Sequence, residues 1–343
     1  MMKKMRKKLF ALAMASVMGM SVLAGCGSDG GSSSGNGSST SGGDSASGDK
    51  KYVIGICQLV EHEALDQATK GFEDALKELL GENVEFVFQN AQNEQTNAGT
   101  ICNAFVADKV DLILANATSP LQAAASATAD IPILGTSITD YAEALDIADW
   151  TGATGVNISG TSDLAPLDEQ EKMLLELFPD VQTVGILYCS AEPNSAYQAE
   201  KFAEYLTADG IAYKEYTAAD SNEIQTIASA AVQECDVIYI PTDNTLAAYT
   251  EAINNICLAA KVPVIAGEEG ICKGCGVATL SISYYDIGYA TGKMAYEVLV
   301  NGADISTMEI QYAPNVTKKY NAAICEELGV TIPDDYVAIV VEE

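Results

Sequence analysis

Val237-Ile238-Tyr239-Ile240-Pro241-Thr242-Asp243-Asn244-Thr245 reads as a strand that stops at a polar tip. Four consecutive apolar residues, without the alternation of a half-exposed strand, suit a strand covered on both faces, as in a parallel sheet flanked by helices. The tip sets hydroxyl, carboxyl and amide groups ahead of a helical stretch near 245–260. Beyond the carboxyl ends of such strands is where open α/β sheets bind their ligands.

Working outward, the same unit recurs. Tyr52–Cys57, Val84–Phe88, Leu112–Leu114 and Ile131–Leu134 read as strands, separated by helices near 62–80, 94–108 and 119–129. A second set has strands at Val184–Leu187, Ala212–Glu215, Val237–Ile240, Val262–Ile265 and Val277–Leu280, with helices near 167–178, 195–209, 222–234 and 245–260. Strands alternating with helices of this length imply parallel sheets. The fold class is therefore α/β, with two doubly wound, Rossmann-like lobes joined by a hinge. The Ser/Gly-rich stretch 158–165 reads as a linker able to hinge. A helix from about Tyr284 to before Asn301-Gly302 is expected to pack back on the first lobe. The first lobe is thus 52–162 plus about 283–303, and the second is 163–282 plus about 304–343.

Before Tyr52 the chain carries a basic start (Lys3, Lys4, Arg6, Lys7, Lys8), an apolar run from Leu9 to Val22, and Leu23-Ala24-Gly25-Cys26. That pattern describes a bacterial export signal, residues 1–25, ending in a lipobox. Cys26 is expected to carry lipid on its sulfur, which places the mature chain in the cell envelope, on the extracytoplasmic face of a membrane. Residues 26–50 are almost all Gly, Ser, Asp, Asn and Thr. Such a composition buries no core and forms a flexible tether reaching on the order of 25–30 Å.

With 48% hydrophobic and 19% charged residues, the remainder can build two domains of about 150 residues each. The formal net charge is −30, and without the five basic residues of the leader it is near −35. A body this acidic disfavours nucleic acid and anionic lipid headgroups as partners. Of nine cysteines, Cys57, Cys102, Cys189, Cys235 and Cys257 lie in apolar runs, where a thiol packs as a small hydrophobe. Cys272-Lys-Gly-Cys275 stands apart. A single C-x-x-C without a second pair or a nearby His is weak evidence for zinc, and two free thiols or a local disulfide both remain open.

Candidate binding residues are those at strand ends. Gln58, Glu61 and His62 follow the first strand. Thr118 and Ser119, ahead of Pro120, offer hydroxyls and helix-start N–H groups to a carboxylate, or simply cap their helix. Ser137 follows the fourth strand. Asn194 and Ser195 follow Tyr188–Pro193. Thr242, Asp243 and Asn244 end the stretch quoted first, with Asp243 set to meet an ammonium. Glu268 follows Val262–Ile265. His62, the only histidine, invites a catalytic reading, but no G-x-S-x-G, H-E-x-x-H, P-loop or G-x-G-x-x-G accompanies it. No metal site and no cofactor is implied. A surface enzyme using Glu61, His62 and Glu268 is the competing reading.

The runs Gln58–Asp66, Gln89-Asn90-Ala91-Gln92, Ala117-Thr118-Ser119-Pro120, Ser162-Asp163-Leu164, Pro241–Thr245 and Tyr284-Tyr285-Asp286-Ile287-Gly288 resemble the substrate-binding lipoproteins of ABC transporters, typified by tryptophan- and tyrosine-binding members. The resemblance spans 52–335. It implies a type I periplasmic-binding-protein fold and a monomeric importer component that passes an amino acid, aromatic by family, to a permease driven by an ATPase on other chains. It also implies that Thr118, Ser119, Asn194, Ser195, Asp243 and Asn244 hold the ligand head group, with Tyr284 near the hinge. Cys272 and Cys275 depart from a Cys-free turn expected there. A receptor for an aliphatic amino acid, sugar or nucleoside that serves a sensor instead is the alternative.

Overall fold

The computed structural model describes residues 50–340. The expected leader 1–25, the lipidation of Cys26 and the tether, apart from Lys50, lie outside the described residues. Among those described, no helix is long and apolar enough to cross a membrane.

The first lobe runs β1 (Tyr52–Gln58), α1 (Glu63–Leu80), β2 (Val84–Asn90), α2 (Gln95–Asp108), β3 (Leu112–Asn116), α3 (Thr118–Ala127), β4 (Ile133–Ile138), α4 (Tyr141–Ala144) and β5 (Ile158–Ser162). The second runs α5 (Leu167–Leu177), β6 (Thr183–Cys189), α6 (Pro193–Ala208), β7 (Ala212–Ala218), α7 (Ile224–Ala231), β8 (Val237–Ile240), α8 (Asn244–Ala247), α9 (Thr250–Ala260), β9 (Val264–Ala266), α10 (Glu269–Cys275) and β10 (Ala278–Ser281). There follow α11 (Tyr284–Leu299), β11 (Gln311–Tyr312), β12 (Thr317–Tyr320), α12 (Ala322–Leu328) and β13 (Val337–Ala338).

The sheets have the orders β11-β5-β4-β3-β1-β2 and β13-β12-β10-β9-β8-β6-β7. Every pairing is parallel except β10 with β12. Each lobe thus repeats one doubly wound order, its first strand between its second and third, which opens a crevice beside the first strand's carboxyl end. The stretch that fixed this reading is buried on both faces. Val237 and Tyr239 pack with Phe202 and Leu174, while Ile238 and Ile240 pack with Ile224 and Ile253. The Tyr239 ring stacks on Phe202 at 3.6 Å, and its hydroxyl donates to Gln170 Oε1 at 2.6 Å.

Three expectations need correction. Residues 158–162, read as linker, form the buried strand β5. Its hydroxyls conceal a strand because each finds a partner: Ser159 donates to the Met308 carbonyl, Thr161 to Thr136 Oγ1, and Ser162 to the Thr139 carbonyl. Residues 304–312, assigned to the second lobe, carry β11, which pairs with β5 in the first sheet. Two residues beside an unread strand leave no periodic signal. Helix 245–260 is two helices, α8 and α9, broken at Ala248-Tyr249.

The chain crosses between lobes at 163–166, 282–283 and 313–316. Helix α11 packs against α1 of the first lobe so closely that a methyl at Gly288 would run into the Ala68 carbonyl, and one at Gly71 into the Tyr285 carbonyl. Backbone contact of this kind is open only to glycine. The eight cysteines among the described residues are free and buried, Cys272 and Cys275 on α10 included. Burial pushes both of those thiols well up.

Candidate functional site

Strand tips of both lobes meet in a narrow cleft walled by His62, Leu65, Ser137, Thr139, Asp163, Asn194, Thr242, Asp243, Asn244, Ala247, Glu268 and Tyr284. The lobes are closed on one another. His62 Nε2 lies 3.1 Å from Asn244 Oδ1, Asn93 Nδ2 donates to Thr245 Oγ1 at 2.9 Å, and Gln198 Nε2 donates to Thr139 Oγ1 at 3.3 Å. On the outside, Lys273 pairs with Glu63 at 3.0 Å.

The first lobe supplies an unsatisfied donor. Ser137 Oγ is buried and has no hydrogen-bond partner in the protein. Ser137 sits at φ +57°, where the register of β4 against β5 shifts. A bulge of this kind re-aims one side chain and ordinarily takes glycine at its left-handed position. Serine there is held at a cost of about 1–3 kcal/mol, so that its hydroxyl points into the cavity. A second strained residue, Ala117 at φ +94°, precedes α3 and turns the chain into that helix. The first N–H groups of α3, at Thr118 and Ser119, have no intrahelical acceptor.

Three carboxyl groups face the cavity, and no Lys or Arg lines it. Their partners differ. Asp243 Oδ2 accepts from Cys189 N at 2.7 Å and Oδ1 from Leu246 N at 2.8 Å, so this side chain caps α8 and ties it to β6. Burial, with the Glu192 charge adding to it, holds Asp243 well above the usual carboxylate range. Glu268 caps α10 through Gly270 N and Ile271 N, and burial lifts it to about 7. Asp163 is held by hydroxyls, from Tyr284 at 2.9 Å and from Thr139 at 3.4 Å. Burial raises it to about 6, with the two hydroxyls and its own backbone N–H offsetting part of the desolvation.

Of the residues predicted from sequence, Ser137, Asn194, Thr242, Asp243, Asn244, Glu268 and Tyr284 line the cavity together. Thr118 lies in an adjoining recess with Thr139, Asn194 and Tyr197. Ser119 and Ser195 are buried behind the walls, Ser195 Oγ donating to the Thr242 carbonyl at 3.4 Å. Gln58 is spent inside the first lobe: its amide donates to Val60 O and Asp66, and its oxygen accepts from Thr69 at 2.6 Å. Glu61 lies in a separate crevice with Asn93, Asp220 and Tyr249. Glu61, His62 and Glu268 therefore do not converge. Sequence reasoning missed Asp163, Thr139 and Glu192. Asp163 stood in the Ser-Asp run taken for linker, and Glu192 stands before Pro193, where it reads as an ordinary helix start.

The model of the family described as ABC transporter substrate binding protein matches residues 53–342. The tyrosine-binding protein of Clostridioides difficile (strain R20291) is 36% identical over 297 residues, covering 85% of this chain and 84% of that protein. A Streptococcus pneumonia ABC domain solved in complex with L-Trp superposes with a TM-score of 0.81 at 31% identity, over 85% of this chain and 100% of that one. A ligand-free, open structure of a Clostridium difficile substrate-binding protein with adhesive properties gives 0.65 at 36% identity, over 85% and 100%. The better superposition on the Trp-bound protein, against the order of identity, agrees with the closed cleft found here.

Proposed function

The chain belongs to the family of ABC transporter substrate-binding proteins, and on that premise we propose that its cleft captures a free amino acid with an aromatic side chain. It is an extracytoplasmic binding component of such a transporter. The observation that carries the ligand reading is the pairing, in one cavity, of a buried Asp163 held by the Tyr284 and Thr139 hydroxyls with an unpartnered Ser137 hydroxyl.

A cavity with acids and no Lys or Arg favours a ligand that brings its own cation. Asp163 is the counter-charge for an ammonium. The ligand carboxylate is then taken by neutral donors, the Ser137 hydroxyl and the N–H groups at the start of α3, a helix end that favours negative charge. Leu65, Ala247, His62 and Tyr284 supply apolar and aromatic wall for a ring. An uncharged sugar would leave Asp163 buried without a counter-charge, which weighs against that alternative. Capture followed by closure needs no bond made or broken, so no catalysis is part of the reading. Anchoring through lipid on Cys26, supported by Leu23-Ala24-Gly25-Cys26 and the tether, and action as a single chain complete it.

Thermal unfolding with a panel of free amino acids tests this. Tryptophan, tyrosine or phenylalanine at about a hundred times Kd should stabilise the chain by about 2.7 kcal/mol. A panel in which aliphatic amino acids or sugars stabilise it and aromatic ones do not would overturn the reading.

A further inference from the structure

One buried carboxylate outside the cavity holds the second-lobe partners of two of the hydrogen bonds that close the lobes. Glu192 precedes α6, yet its side chain does not cap that helix. It turns to the start of α8. Oε2 accepts from Asn244 N at 3.1 Å, from Asn244 Nδ2 at 2.7 Å and from Asn194 Nδ2 at 3.2 Å. Oε1 accepts from Thr245 N at 2.7 Å and from Thr245 Oγ1 at 2.6 Å. Five donors satisfy a group that is 4% exposed.

The direction of those bonds fixes what the second lobe shows to the first. The Asn244 amide must turn its NH₂ to the carboxylate, so Oδ1 faces His62, and a bond there requires a hydrogen on His62 Nε2. The Thr245 hydroxyl spends its hydrogen on Glu192, so only its lone pairs remain for Asn93 Nδ2. A single acceptor-only residue thus converts two ambivalent side chains into two acceptors, and each meets a donor on the opposite lobe. Asn93 reaches across from a left-handed turn at φ +59°, a conformation Asn tolerates.

We propose that Glu192 is a positioning residue that latches the closed state, acting through Asn244 on His62 and through Thr245 on Asn93, so that it sets the rate of ligand release without touching the ligand. The inference rests on the amino-acid reading above only for its choice of probe. Alanine at 192 would leave the Asn244 amide and the Thr245 hydroxyl free to turn, so both pairs would lose their fixed polarity.

The test is a set of variants read by stopped-flow release of L-tryptophan and by the interlobe distance between spin labels at Glu82→Cys and Gln233→Cys, two exposed positions on different lobes. Asn93→Ala, which leaves both the second lobe and the cavity wall intact, should speed release about three- to tenfold with association unchanged, and His62→Ala, which also removes part of the wall, should speed it at least as much. His62→Gln, which keeps a donor, should restore most of the wild-type rate. In a Glu192→Ala background Asn93→Ala should add little, since both act on one bond. Release rates and closed populations unchanged in His62→Ala and Asn93→Ala would overturn the proposal. So would a full, additive effect of Asn93→Ala in the Glu192→Ala chain. If the wild-type chain binds no aromatic amino acid, the ligand reading fails by itself. The distances in the ligand-free chain then decide the latch: a smaller closed population in the variants supports it, and equal distances refute it.

Discussion

Replacing Asp163 by Asn keeps the shape of the side chain and removes its charge, and the expected product is an empty protein that is more stable and no longer answers to its ligand. Asp163 is buried, and its carboxyl rises from the ordinary 3.8 to about 6, chiefly through desolvation. A carboxyl raised on folding binds more protons in the folded chain. The stability it contributes is therefore complete below pH 3.8 and is lost as the pH climbs to about 6. At about 1.4 kcal/mol per pH unit, that loss comes to about 3 kcal/mol. Asn has no charge to bury and escapes it, while the Tyr284 and Thr139 hydroxyls can turn to meet an amide. In urea unfolding at about pH 7.5 the variant should exceed wild type by about 2–3 kcal/mol, and the two should converge near pH 4. Adding L-tryptophan should stabilise wild type and leave the variant unmoved. A variant weaker than wild type at about pH 7.5 would refute the desolvation argument. A variant that still gains stability from the ligand would remove Asp163 as the ammonium's partner.

Two further outcomes follow from backbone geometry. Gly288→Ala should cost about 2–3 kcal/mol in urea unfolding, because α1 and α11 must separate to admit the methyl, and a change within about 0.5 kcal/mol would mean the helices are not in backbone contact. Ser137→Gly should stabilise the empty chain by about 1 kcal/mol by relieving the left-handed strain, while weakening L-tryptophan binding about tenfold in calorimetry. Unchanged affinity would show that the hydroxyl serves only the bulge.

The fold was legible wherever a strand is buried on both faces by aliphatic residues. Val237–Ile240 and Leu112–Leu114 announce themselves because short, branched apolar runs bounded by polar tips suit a parallel sheet covered on both faces. It was illegible where burial is polar. β5 is as buried as any strand, but Ser159, Thr161 and Ser162 satisfy their hydroxyls on partners far away in the chain, Met308 and Thr291 among them, and no local pattern records that. With β5 unread, β11 beside it had nothing to pair with, and the third crossing moved from 313–316 back to about 304.

The site divides along the same line. Position at a strand's carboxyl end is a property of sequence order, and it brought Ser137, Asn194, Thr242, Asp243, Glu268 and Tyr284 to one cavity. What each acid does there depends on who donates to it, which sequence order does not contain. Backbone N–H groups cannot turn away, so Asp243 and Glu268 are committed to the helices they cap. A hydroxyl can rotate and become an acceptor, so Asp163 can give up Tyr284 or Thr139 when an ammonium arrives, without leaving a stranded donor. Reversible partners, more than burial or charge alone, are what mark an acid as available to a ligand that must also leave.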